Sequence, residues 1–330
     1  MIKTGAYLLK RHSIFMRIFS AVFATVFATI FSLFFVAGCK SVEVVRPEPE
    51  MDVDSLLLLD NKSSVYLRIP ANVDENLISR ILQNSVQGLS PSGGAFIAEK
   101  IRVVYAGISR SRTSTSFQLV ADCSIPSSLA RHAFSEKNGW SEEHIALKSG
   151  ENDERLYSIY TANDISLSFL GDSKVCAGRN IDKMIEKYHR LAFPFEDVSS
   201  GENNTLSKGV DSLKNGAYQY LFYDKENPDG TIRFFTPRPQ SFLPMLIGST
   251  LNFNLVYVCG ELFPDKKNSD QIIMQLELEF KDEKYIPFGR GALSVSFGLS
   301  ESDVYLETPT HLIVKNIKIS RDQLYRIFVL

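Results

Sequence analysis

Tryptophan and cysteine are scarce in this 330-residue chain, which has one Trp and four Cys. So few thiols in so long a chain cannot form a dense disulfide framework. An excess of either charge is missing too. Thirty-six Lys and Arg stand against 38 Asp and Glu, a formal net charge of −2, so there is no overall basic footprint for nucleic acid. The local signatures of catalysis and metal binding are absent as well. His132, His144, His189 and His311 fall at no HExxH or HxxxH spacing, and there is no CxxC, so no zinc site is legible. No GxSxG elbow occurs, and no lysine has a serine three residues before it. Gly289-Arg290-Gly291 lacks the third glycine of a dinucleotide loop and reads as a turn. No catalytic residue, cofactor or metal ligand is assigned on these grounds. A triad assembled from distant residues stays open, because such triads have no sequence spacing.

What is present is an ordinary globular composition, 44% hydrophobic and 22% charged, with its charge unevenly placed. Residues 1–38 carry Lys3, Lys10, Arg11 and Arg17 and no acid. Taking those four bases from the totals leaves 32 basic and 38 acidic groups, a net of −6 for the remainder. An uncharged run of 21 residues, 18–38, follows Arg17. Its length suits a membrane-spanning helix. Its basic start and small-residue end suit a signal peptide, whose apolar core is usually shorter. Met16-Arg17 offers a second start that leaves a shorter leader.

The run ends in Val36-Ala37-Gly38-Cys39. This resembles the lipobox of bacterial lipoproteins of the spirochaete type: an aliphatic residue, two small residues and a cysteine. Val36 stands where the family more often has Leu. The resemblance implies a diacylglyceryl group on the Cys39 thiol, cleavage between Gly38 and Cys39, and acylation of the new amino group. It thus implies a palmitate-type membrane anchor and a place in the cell envelope. Lys40 follows the cysteine, so the acidic inner-membrane retention signal of enteric bacteria is absent. The outer membrane is therefore favoured over the inner, with the periplasmic or surface face left open. Each buried methylene contributes about 0.8 kcal/mol, so two or three chains hold a protein on a membrane durably.

Residues 39–55 read as a flexible acidic tether, rich in acids and carrying two prolines. Beyond them the expected fold is α+β, with antiparallel sheets and helices packed on one face. Residues 56–195 form a first module, 196–216 a polar linker, and 217–330 a second, strand-rich module. Expected strands cover 64–69, 100–109 and 116–125, then two or three more within 155–178. In the second module they cover 255–262, 271–280, 291–297 and 312–319. Helices are expected after Asn72, after Pro126, after Asn180 and over 321–328. Met274, Leu276, Leu278 and Phe280 alternate with Gln275, Glu277 and Glu279, the mark of a sheet with one wet face. A weak repeat sets Ile69-Pro70 and the later Val104-Tyr105-Ala106-Gly107 beside Thr236-Pro237 and Val256-Tyr257-Val258-Cys259-Gly260. Two related modules would explain it, as would chance among common strand and turn residues.

Cys123, Cys176 and Cys259 fall in expected strands. Cys123 alternates with apolar neighbours and reads as a small buried hydrophobe, with a Cys123–Cys176 bridge as the alternative. Arg102, Arg110 and Arg112 make a modest basic cluster around a polar hairpin loop, most simply a solvated one. Between Arg238 and Glu261 lie 22 residues without a charge. The plain reading is a buried helix followed by a buried strand. The functional one is an apolar ligand surface lined by Phe242, Leu246, Phe253 and Tyr257. The resulting expectation is a lipid-anchored envelope protein with a non-enzymatic binding or structural role at the membrane surface. Its partners are the membrane, through its acyl chains, and an unidentified protein or hydrophobic ligand. The alternatives are a carrier of a lipid or other hydrophobic ligand, and an envelope hydrolase with dispersed catalytic residues.

Overall fold

A computed structural model of the chain describes residues 52–74, 76–80, 98–110, 115–125, 139–148, 154–162, 165–193, 219–222, 230–240, 254–268 and 270–324, with positions 95, 134, 136 and 216. The leader with Gly38 and Cys39, most of the tether, most of the polar linker and the stretch after Pro126 lie outside these residues.

Period-two patterns dominate the body, and they build twelve strands: β1 Val65–Pro70, β2 Ile101–Arg110, β3 Thr115–Cys123, β4 Ser141–Lys148, β5 Glu154–Ala162, β6 Ile165–Leu170, β7 Lys174–Gly178, β8 Ile232–Thr236, β9 Leu255–Pro264, β10 Gln271–Phe280, β11 Val304–Leu306 and β12 His311–Ser320. All belong to one sheet in the order β11-β12-β10-β9-β8-β1-β2-β3-β7-β6-β5-β4, and every pairing is antiparallel. The sheet runs unbroken across the proposed boundary between halves, through β1 paired with β8. The expected strand over 271–280 appears with those bounds, and three strands fill 154–178. β4 was not expected. Its SEEHIALK sequence is mostly exposed at the sheet's edge, where little burial is needed to select the strand.

Four helices bear on the argument: α1 Ser55–Leu58, α2 Ile181–Ala192, α3 Gln219–Phe222 and α4 Ile286–Phe297. α2 follows the expected pattern, burying Ile181, Met184, Ile185 and Tyr188. Asn180 precedes it in the left-handed region (φ 55°) without a side-chain cap. The helix expected to start at Asn72 begins later. Asp74 is the residue whose side chain accepts from the Asn76 N–H, at 2.9 Å. The closing helix has its expected capping box. Gln323 accepts from the Ser320 N–H at 2.7 Å, and the Ser320 hydroxyl accepts from the Gln323 N–H at 3.1 Å. Residues 291–297 correct the sequence reading, being helical within α4 and not a strand. Two glycines and β-branched Val295 weaken the helical signal there, but burial of Ile286, Gly289 and Leu293 follows helical spacing. Gly298 ends the helix at φ +62°, a conformation that favours glycine.

One face of the sheet is apolar from β11 across to β6, carrying Leu67, Ala106, Leu119, Phe234, Leu276 and Val314, all buried. On the other face the first half is covered by α1 and α2. Residues 52–59, the end of the expected tether and the start of the body, are held down there. Lys174, itself buried, reaches Asp122 at 3.2 Å and Asp52 at 3.3 Å. The Ser55 hydroxyl donates to Asp122 at 2.5 Å, and Lys187 donates to the Leu59 carbonyl at 2.5 Å. Val53, Leu56, Leu58 and Leu59 are buried. The acidic segment therefore already belongs to the body by Asp52.

Candidate functional site

The four residues proposed for an apolar surface are not seen together. Phe242, Leu246 and Phe253 lie outside the described residues. Tyr257 lies on β9, half-buried, with its ring 5.8 Å from Phe235 and edge-on to His311 at 6.4 Å. Around it the second half's polar face gathers acids. His311 stands 3.7 Å from Glu277, 3.9 Å from Glu279 and 3.5 Å from Glu307. The Thr310 hydroxyl donates to Glu279 at 2.8 Å. Burial, then the thiol and carboxylates nearby, push the Tyr257 hydroxyl up to about 12. Cys259 donates to Glu277 at 3.6 Å, and burial with that carboxylate raises its thiol far above the ordinary range. A thiol kept protonated is a poor nucleophile.

The other thiols are inert for the same reason. Cys123, Cys176 and Cys259 are all free and buried, and no Cys123–Cys176 bridge is present. Burial pushes Cys123 up to about 11 and Cys176 up to about 12. His144, on exposed β4, is 3.3 Å from the Ser158 hydroxyl. His189 is buried, 3.1 Å from the Tyr157 hydroxyl and 3.1 Å from the Lys148 carbonyl, contacts that tie α2 to β5 and β4. None of these contacts sets a hydroxyl and a carboxylate on one imidazole within about 3 Å, the reach general-base chemistry requires. His132 lies outside the described residues. Among the described residues no group of three or more His, Cys, Asp or Glu is placed to hold a metal ion, and no helix is long and apolar enough to cross a membrane.

Among the described residues, α4 is a helix that departs from ordinary packing. Its inner side buries Ile286, Gly289 and Leu293. Its outer side is apolar as well: Phe288 is 53% exposed and Val295 85% exposed, with Gly291 exposed between them. Positions 288, 291 and 295 share one helical face, so the exposed groups form a stripe and not isolated side chains. Cations lie close by. Lys284 pairs with Asp282 at 2.9 Å just before the helix, and Arg290 donates to the Glu301 carbonyl at 3.4 Å. Asp282 starts the turn that leads in, accepting from the Lys284 N–H at 3.0 Å. The sequence reading missed this site because it took 289–291 for a turn and 291–297 for a strand. The available signal was Ile286, Gly289 and Leu293 at helical spacing behind Pro287.

A family model described as outer membrane-associated lipoprotein TP0453 matches residues 50–325. Solved structures of TP0453 share the fold. Crystal form I aligns with a TM-score of 0.56 at 19% identity, over 85% of this chain and 98% of that one. Crystal form III gives 0.58 at 18% identity, over 84% and 98%. At these identities the likeness speaks for the fold alone. No curated protein matches.

Proposed function

This chain belongs to the outer membrane-associated lipoprotein TP0453 family and is thus a lipid-anchored protein of the bacterial cell envelope, and from that premise we propose that it works at the membrane surface as a non-enzymatic binding protein. Acyl chains on Cys39 hold it there, after cleavage behind Gly38, and the outer face of α4 rests on the bilayer. The observation that carries the second part is the solvent-facing stripe of Phe288 and Val295 on a helix whose opposite side is already buried. Fully burying such side chains is worth about 1.5–3 kcal/mol each, enough to orient an anchored body. A hydrophobic-ligand carrier is the second reading, and it has less support. Tyr257, the described residue of that surface, stands beside His311 and carboxylates.

Two measurements test the reading. Cys39→Ala in cells is expected to move the protein out of the membrane fraction with its leader uncleaved. Unchanged size and partition would reject the anchor. Anchor-free protein is then floated with vesicles of bacterial phospholipid. Replacing Phe288 and Val295 together by Ser should weaken vesicle binding by roughly ten-fold or more, from the burial energies above. Equal binding would reject α4 as the contact.

A further inference from the structure

We infer that the body is an internal duplication, two copies of one module joined edge to edge about a pseudo-two-fold axis that passes between Leu67 and Phe234. Reading outward from β1 and from β8, the sheet repeats itself. β1-β2-β3-β7-β6 on one side answers β8-β9-β10-β12-β11 on the other. The connections match too. β2 and β3 form a hairpin, as do β9 and β10. β7 leads directly into α2, and β12 leads directly into the helix that opens at Arg321. A short helix precedes each copy, α1 before β1 and α3 before β8.

Register makes the match specific. Leu67 pairs with Phe234 at the joint. From Leu67 the ladder runs through Ala106, Leu119 and Ala177 to Leu167. From Phe234 it runs through Gly260, Leu276 and Val314 to Val304. Residues directly opposite share a face, so both halves of this row lie on the apolar side. The row sets Ala106 level with Gly260, within the Val104–Gly107 and Val256–Gly260 segments that the sequence repeat sets side by side. It also brings one acid–base pair onto another. Counting from Leu119 and Ala177, Asp122 faces Lys174; counting from Leu276 and Val314, Glu279 faces His311. Both are cross-strand partners in contact, at 3.2 Å and 3.9 Å. A chance resemblance of two antiparallel sheets would not reproduce strand order, register and a polar pair at one position together. The copies differ where insertions fall: β4 and β5 lie between β3 and β6, whereas α4 lies between β10 and β11.

Equivalent positions should accept each other's residues. A Cβ added at Gly260 would lie 2.5 Å from the Phe234 ring and 2.8 Å from the Gln275 carbonyl, whereas the first copy holds Leu67 against Ala106. In the full chain, Gly260→Ala and Leu67→Phe alone should each lower Tm by at least about 3 °C. Adding Phe234→Leu to the first and Ala106→Gly to the second transplants each copy's pair into the other, and should recover a measurable part of the first loss, the Gln275 carbonyl contact remaining, and at least half of the second. Recovery in both directions is the expected result, and recovery in fewer than two overturns the inference. If a single variant does not fold, His311→Lys, which carries Lys174's residue into the second copy, decides. A Tm held within about 3 °C of the parent supports duplication, and a larger fall overturns it.

Discussion

The first and second halves of the sheet spend the same kind of strand differently. β7 is buried at every position, from Lys174 to Gly178. β10 alternates strictly, with Ile272, Met274, Leu276, Leu278 and Phe280 buried and the residues between them half-exposed. The difference comes from what lies on the polar face. Over the first half, α1 and α2 cover the face and bury Lys174, which pairs with part-buried Asp122 and exposed Asp52. Over the second half the carboxylates around His311 keep contact with solvent, and α4 exposes Phe288 and Val295. Covering a face converts polar residues from solvated groups into structural ones, because an unpaired buried charge is far costlier than an unpaired wet one.

That contrast can be broken by experiment. The largest effect is expected for Lys174→Met, which leaves part-buried Asp122, held by the Ser55 hydroxyl, without its cation. It should cost about 3–5 kcal/mol in urea unfolding, against about 1 kcal/mol or less for His311→Met, whose partners are partly solvated. Equal costs would show that the two faces are equally closed. A smaller effect concerns the buried thiols. Their ordinary value is near 9, while Cys123 and Cys176 stand at about 11 and 12. The folded state therefore holds its protons where the unfolded chain releases them. This stability is fully present below pH 9 and is lost as pH rises through about 11–12. An aromatic disulfide reagent at pH 8 should accordingly label these thiols only after unfolding. Rapid labelling of the native protein would contradict their burial. The smallest effect is expected for Phe288→Ser with Val295→Ser on stability. Exposed substitutions shift unfolding by about 0.5 kcal/mol or less, so a loss of several kcal/mol would mean that α4 carries core contacts on both sides.

Strands were legible where one face is wet. Gln271–Phe280 could be read to the residue because each alternate side chain advertises its side. α4 was illegible for the converse reason. It is apolar on both sides and carries glycines, so neither a helical moment nor propensity separates it from a buried strand. β4 was missed because an exposed edge strand has little alternation to show. Of the candidate site, Tyr257 could be proposed from an uncharged run, but no local pattern could reveal the acids around it. Those acids arrive from β10 and from the turn before β12.

The envelope address could be read from the chain's own order of residues, since a basic start, an apolar run and Val36-Ala37-Gly38-Cys39 resemble a lipoprotein signal, a linear pattern that needs no fold. It determined most strand positions as well, because burial on one face imposes a period of two. Tertiary structure alone decided that β1 pairs with β8 to make one sheet, that Lys174 is closed over by residues 52–59, and that Phe288 and Val295 face outward. Each depends on which surfaces meet across long stretches of sequence, and hydrophobic burial is indifferent to the order in which its partners occur along the chain.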